Sequence, residues 1–351
     1  MEIKKELWGT YTNGEEIYRY TMTNASGAQV VLTSAGAAVV SILVPDREGH
    51  LVDVVLGYGE PQSYIGDGPC MGKCPGRFAN RIAKGRFTLD GQTYELPVNN
   101  GPNHLHGGPQ GFHNQVWESR IDGDAVEFMY VSQDGESGYP GALKAVVHYA
   151  WGDDCALRIT ITAQTTKDTV VNLTNHAYFN LSGEGSGSVE DHILRLNASE
   201  FLPTDETLIP LGASEPVAGT PMDFVTPKRI GQDLRADFGP IRIAKGYDHC
   251  FLIDGYQKGQ LQTAAELCSP QTGICLEVVT TQPGVQVYTG NYLKGCPLGK
   301  NEHIYSDYDG MAIECQHLPD SPNKPEYPST VLHPDETFEE AIIYAFSVKT
   351  A

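Results

Sequence analysis

The chain is short of positive charge. Its 351 residues hold 24 Lys and Arg against 44 Asp and Glu, a formal net charge of −20. Nucleic acid and anionic membranes both require a basic face, so neither is expected as a partner. Long apolar runs are also missing. The most apolar stretch, VVLTSAGAAVVSILVP (Val30–Pro45), is broken by Ser, Thr and Gly and is too short to span a bilayer. The opening MEIKKELWGTYTNGEE has no apolar h-region, so no secretory signal is expected. The eight cysteines, Cys70, Cys74, Cys155, Cys250, Cys268, Cys275, Cys296 and Cys315, form no C-x-x-C pair. A chain of this size builds its own core, so reduced thiols in a cytoplasm are expected rather than a disulfide framework. Cys70 and Cys74 lack the second pair that a structural metal site needs. Glycine-rich phosphate loops, a G-x-S-x-G elbow and H-E-x-x-H are all absent.

Helical periodicity is absent over any useful length; QDLRADF (Gln232–Phe238) alone reads as a short helix. Strand patterns fill the chain instead. In ALRITITAQ, Leu157, Ile159, Ile161 and Ala163 alternate with Arg158, Thr160, Thr162 and Gln164. AVEFMYVS, ALKAVVHYAW, DHILRLNAS, ICLEVVTTQ and VQVYTGN read the same way. Turn clusters such as DREGH, LDGQ, NNGPN, QDGESGYPG and SGEGSGS separate them at short spacing. The expected fold is all-β, a large antiparallel β-sandwich. With no linker and no repeat, one domain over 1–351 is expected.

Six segments carry residues suited to chemistry. GRFANRI places Arg77, Asn80 and Arg81 beside a glycine, as a set of donors for a polar ligand. NNGPNHLHGGPQGF offers His104 and His106 two apart. On an extended segment both rings would lie on one side, as a metal pair or as sugar contacts, and the glycines that follow allow close backbone approach. VNLTNHAYFNLSG, up to Gly183, reads as a strand with Val171, Leu173, Asn175, Ala177, Phe179 and Leu181 toward the core. Its other face, Asn172, Thr174, His176, Tyr178 and Asn180, is polar yet holds neither Lys nor Glu. Taken alone, His176 reads equally as a histidine satisfied by those neighbours. YDHCF contributes Asp248 and TTQPGVQVYTGN contributes Gln286, an acceptor and an amide suited to hydroxyl groups. In GMAIECQHLPDSPN, Glu314 sits on an apolar strand, where partial burial raises a carboxyl pKa toward that of a general base.

Taken together, GAAVVSILVPDREG from Gly36, then GRFANRI, LHGG, DGESGYPG, VNLTNHAYFNLSG, FLPTDETLIP, GTPMDF, YDHCF, TQPGVQVYTGN and ECQHLPDSPN follow one another to the last strands. In that order they resemble the aldose 1-epimerases, or galactose mutarotases. The resemblance implies a single-domain β-supersandwich that interconverts the α and β anomers of free hexoses such as galactose and glucose. It implies Glu314 as general base on the C1 hydroxyl and His176 as general acid on the ring oxygen. His106 matches a second active-site histidine. Asn80, Arg81, Asp248 and Gln286 match positions that hold sugar hydroxyls. Neither a metal nor an organic cofactor is implied, and monomer and homodimer are both open. Three rivals stay in view. A hexose-phosphate mutarotase would need cations, to which Arg77 and Arg81 could contribute. A metal enzyme would be built on His104, His106, His176 and Glu314. A non-catalytic carbohydrate-binding protein would lose the acid or the base.

Overall fold

The computed structural model describes residues 1–349. Its architecture is all-β, built on three large antiparallel sheets. A nine-stranded sheet runs, in spatial order, through Glu118–Asp122, Ala125–Ser132, Leu143–Trp151, Ala156–Thr165, Phe338–Val348, Ile274–Thr280, Gln262–Cys268, Ile193–Leu196 and Lys228–Arg229. A six-stranded sheet takes the order Tyr178–Phe179, Met311–Gln316, Gly284–Tyr288, Asp248–Leu252, Glu200–Phe201, Glu215–Pro216. The first 53 residues supply a five-stranded meander in which the apolar Val30–Pro45 run folds back on itself as Gln29–Thr33 and Ala38–Pro45.

The alternation in Ala156–Thr165 is realised as read. Leu157, Ile159, Ile161 and Ala163 are buried while Arg158 and Gln164 face solvent. Each fully buried Ile contributes about 1.5–3 kcal/mol relative to an exposed one. One apolar cluster draws on all three sheets, joining Tyr20 and Val39 to Ile159, Leu276, Val285, Ile313 and Phe346. Among the described residues no helix is long and apolar enough to cross a membrane.

Three expectations need correction. The short helix lies just past QDLRADF, at Gly239–Ala244, where Pro240 in the first turn suits a helix start. Cys268 and Cys275, which sit directly opposite each other on adjacent strands, form a disulfide, while the other six cysteines are free. The third concerns VNLTNHAYFNLSG. Within it only Tyr178–Phe179 enters a ladder, Thr169–Val170 pairing just before it, and everything from Val170 to Leu181 is buried on both faces.

Buried backbone must still be satisfied: Asn172 keeps backbone bonds to Arg77 and Ala79, and the polar side chains tie the segment to the backbone of its neighbours. Asn172 donates from Nδ2 to the carbonyls of Ala79 and His317 and accepts the His317 N–H at 2.9 Å. Thr174 Oγ1 donates to the Cys315 carbonyl, which also takes the Gln282 amide. Asn175 donates to the Gly72 carbonyl and accepts the Ala177 N–H. The strand Met311–Gln316 pairs with Tyr178–Phe179 only at its first two residues. Beyond them, Asn172 and Thr174 carry that edge onward through side chains.

Candidate active site

Glu314, His176, His106, Asn80, Arg81 and Asp248 all line one cleft of about 790 Å³. Three parts of the fold bring them together. Glu314 stands on Met311–Gln316, whose Met311, Ile313 and Cys315 enter the core and so turn Glu314 to the other side. On the neighbouring strands Gln286 lies directly opposite Glu314, and Asp248 directly opposite Tyr288. His176 follows Asn172 and Thr174 at the same two-residue step. Where those two bind the backbone of the Glu314 strand, His176 meets its side chain: Nε2 lies 3.5 Å from Glu314 Oε1. The backbone at His176 is pinned at both ends, its N–H donating to the Lys73 carbonyl and its C=O accepting the Gly72 N–H. The Asn and Thr side chains thus hold backbone, and none of them orients the imidazole.

The loop residues come from Arg81–Ile82, paired with His104–Leu105. The two histidines of H-x-H do not share a side. His104 is buried, its ring nitrogens bonded to the Pro97 carbonyl at 2.6 Å and the Tyr139 hydroxyl at 2.7 Å. His106 leaves the strand with a φ of 54°, which carries its ring into the cleft, 5.3 Å from that of His176. Gly107 serves a protein contact rather than a ligand: with φ at +85°, a Cβ there would lie 1.7 Å from the Gly76 carbonyl oxygen. The Asn80 N–H donates to His106 Nδ1 at 3.1 Å. A neutral ring accepting at Nδ1 carries its proton on Nε2.

Arg81 spans the cleft wall. Nε donates to Asn100 Oδ1 at 3.1 Å, and an Nη atom lies 3.7 Å from Asp248. Gln286 is one layer back. It is absent from the cleft surface and donates its amide to Asp248 Oδ1 at 2.6 Å. Arg77 is elsewhere altogether, buried, with its guanidinium on the Pro140 and Gly141 carbonyls and Ser132 Oγ.

Burial governs the electrostatics. Glu314 is 2% exposed and His176 4%. Desolvation raises the Glu314 carboxyl well above its ordinary value; Asp248 adds to the rise and Arg81 opposes it. Desolvation lowers His176 to about 4, against the ordinary value near 6.5 expected of a free histidine. His106 is likewise held well below 6.5 by desolvation, with His176 as the next cause. Of the two forms with the same proton count, burial therefore favours carboxylic acid beside imidazole over carboxylate beside imidazolium.

One ring nitrogen each of His106 and His176 and a Glu314 oxygen lie within 4.8 Å of one another, a set that could hold a divalent ion; His104 takes no part in it. The His106 tautomer fits this poorly. Ligation through Nδ1 would displace the Asn80 N–H, and ligation through Nε2 would move the ring proton to Nδ1, facing that same N–H.

Several lining residues were not singled out from the sequence. Tyr178 and Tyr288 form aromatic walls, their rings 5.0 and 6.4 Å from that of His176. Each keeps step with a named residue, Tyr178 with His176 and Tyr288 with Gln286, so the alternation held the signal. Tyr292, Leu208 and Ile243 form the rim, and Asp67 reaches the cleft from a Gly/Pro-rich turn with no pattern to mark it.

The aldose 1-epimerase family model matches residues 18–345. Galactose mutarotase of Homo sapiens is 42% identical over 346 residues, covering 99% of each chain. Aldose 1-epimerase of Escherichia coli K12 is 40% identical over 337 residues, 95% of this chain and 96% of its own. Among solved structures, the aldose epimerase homologue from C. elegans superposes with a TM-score of 0.86 at 31% identity, covering 94% of this chain and 98% of that one. Galactose 1-epimerase from Lactobacillus acidophilus does so at 0.86 and 29%, covering 99% of each.

Proposed function

This chain belongs to the aldose 1-epimerase family, and we propose that it interconverts the α and β anomers of free hexoses such as galactose and glucose through Glu314 and His176. The observation that carries this reading is the 3.5 Å approach of Glu314 to His176 in one buried floor. Ring opening needs a base at O1 and an acid at O5 in the same complex. Glu314 takes the proton of the C1 hydroxyl while the O1–H electron pair becomes the second C–O bond of the aldehyde. The C1–O5 bond breaks, and O5 takes its proton from the His176 imidazolium. Rotation about C1–C2 presents the other carbonyl face. The steps then reverse, His176 recovering its proton from O5 and Glu314 returning its own to O1.

The proton count of the pair supports this scheme. Carboxylate with imidazolium and carboxylic acid with imidazole hold the same number of protons. Burial favours the second form, which is also the form reached in the open-chain complex. Binding has only to move one proton across the 3.5 Å gap. Hydroxyl groups in the cleft replace part of the solvation that the ionic form lacks. His106 donates from Nε2 toward the ring oxygen side. Asn80, Arg81 and Asp248 hold hydroxyls, and Gln286 acts by fixing Asp248. The large sheets that share one core we read as layers of a β-supersandwich forming a single domain.

Polarimetry on freshly dissolved α-D-galactose and α-D-glucose tests the proposal. The protein should hasten the drift to equilibrium; an unchanged drift with both sugars refutes it. A phosphorylated hexose is a weaker candidate, since Arg77 is committed to the core and the cations lining the cleft are Arg81 and Lys294. Competition by glucose 6-phosphate separates the two. The metal reading rests on the three clustered donors. Full activity after exhaustive chelation disposes of it.

A further inference from the structure

Asp67 and Lys73 form an ion pair with both side chains fully covered, the one such pair among the described residues. Burying two charges is costly and is offset only by close pairing and further hydrogen bonds to both groups. Lys73 Nζ also donates to the Tyr64 carbonyl at 2.6 Å and to Asn114 Oδ1 at 3.2 Å. Asp67 Oδ2 accepts the Tyr58 hydroxyl and the Met71 N–H, each at 2.9 Å. Asp67 borders the cleft through its backbone while its carboxylate turns inward, so it does not reach a ligand.

What the pair holds is the turn from Asp67 to Lys73, and that turn holds His176. Lys73 accepts the His176 N–H at 2.8 Å and Gly72 donates to the His176 carbonyl at 3.0 Å. The turn is wedged against the meander: Gly72 has φ +71°, and a Cβ there would lie 2.1 Å from the Val39 carbonyl oxygen. A Cβ at Gly36 would strike the Lys73 stem at 2.7 Å. Because His176 lies between ladders, these two hydrogen bonds replace the sheet registration that fixes Glu314. We propose that the Asp67–Lys73 pair is a positioning device that holds His176 at proton-transfer distance from Glu314 and substrate. The proposal rests on the mutarotase reading for its catalytic consequence.

The test is the double substitution Asp67→Asn/Lys73→Met, which removes both charges and nearly keeps their shapes. With galactose, kcat should fall roughly tenfold to 10²-fold, the range expected of a small misplacement, while KM stays within about twofold because the hydroxyl-binding groups are untouched. Amide hydrogen exchange at His176 should quicken, with exchange at Ile159 and Ile161 unchanged. A folded double variant with parental kcat and parental His176 exchange overturns the proposal. If the double variant does not fold, Asn114→Ala, which removes one acceptor from Lys73, should shift kcat and His176 exchange in the same direction; no shift in either overturns it. If the parent itself does not hasten anomerisation, the mutarotase reading falls and the exchange measurement alone decides the role of the pair.

Discussion

Two neighbouring segments share one sequence pattern and fold differently. Ala156–Thr165 and Val171–Leu181 both alternate apolar with polar residues. The first is a central ladder strand with one face in water. The second is buried on both faces and enters a ladder only at Tyr178–Phe179. The difference lies in what the polar residues are for. Arg158 and Gln164 meet solvent. Asn172, Thr174 and Asn175 bond to buried backbone, and at His317 Asn172 satisfies both the N–H and the carbonyl. The face with neither Lys nor Glu is spent on buried backbone at Asn172 and Thr174 and on the cleft at His176 and Tyr178.

The largest expected effect separates chemistry from scaffold. Glu314→Gln and His176→Asn should each lower kcat by roughly 10²-fold or more, the order expected when a general acid or base is lost, measured by polarimetry at saturating galactose. A near-parental rate in Glu314→Gln would sink the mechanism and leave the family assignment standing. On the ladder strand, Ile161→Ala should instead cost about 2–5 kcal/mol of stability with activity per folded molecule unchanged, read from urea melts beside initial rates.

Asn172→Ala should do both things at a smaller scale. It strips the His317 backbone of its partners, leaving buried groups unpaired at a cost of about 1–3 kcal/mol, and it loosens the floor that carries Glu314 and His176. A stability loss with parental kcat would show that Asn172 is scaffold alone.

The pH dependence of stability carries opposite signs at His176 and Glu314. Folding lowers His176 from 6.5 to about 4, so between those values the unfolded chain binds more protons and stability falls as pH falls. His192 and His249, also lowered to about 4 by burial, add to that slope. For one such site the loss approaches about 3 kcal/mol, and His176→Asn should flatten its share. Glu314 is raised instead. The folded state binds its proton more tightly, and stability is lost as pH rises from the ordinary carboxylate range through the raised value. Glu314→Gln should accordingly be more stable than the parent on the alkaline side. Smallest of all, Thr160→Ala on the half-exposed face of the ladder strand should change stability by no more than about 0.5 kcal/mol.

Much of the site was legible because strand alternation is a local property. It places Glu314 opposite Ile313 and Cys315, and Gln286 opposite Val285 and Val287, with no knowledge of what lies across the cleft. It fails where the backbone departs from extended geometry. The H-x-H step assumes a strand through His106, but the φ of 54° there sends the two rings apart. The second arginine of GRFANRI lines the cleft while the first is spent on carbonyls of a distant turn. Both arginines look alike in sequence because a guanidinium serves carbonyls and ligands equally well. The Cys268–Cys275 disulfide escaped because two cysteines seven apart become neighbours only once a hairpin sets their register.

By itself, then, the sequence determined the all-β class, the apolar faces of the long strands and the family, since these follow from period, composition and ordered motifs. Tertiary structure decided which polar residues converge. His176 meets Glu314 because two side-chain hydrogen bonds and a buried ion pair hold an irregular segment against the edge of a sheet. The hydrogen bonds join residues 141 and 145 apart in the chain, and no local pattern encodes them.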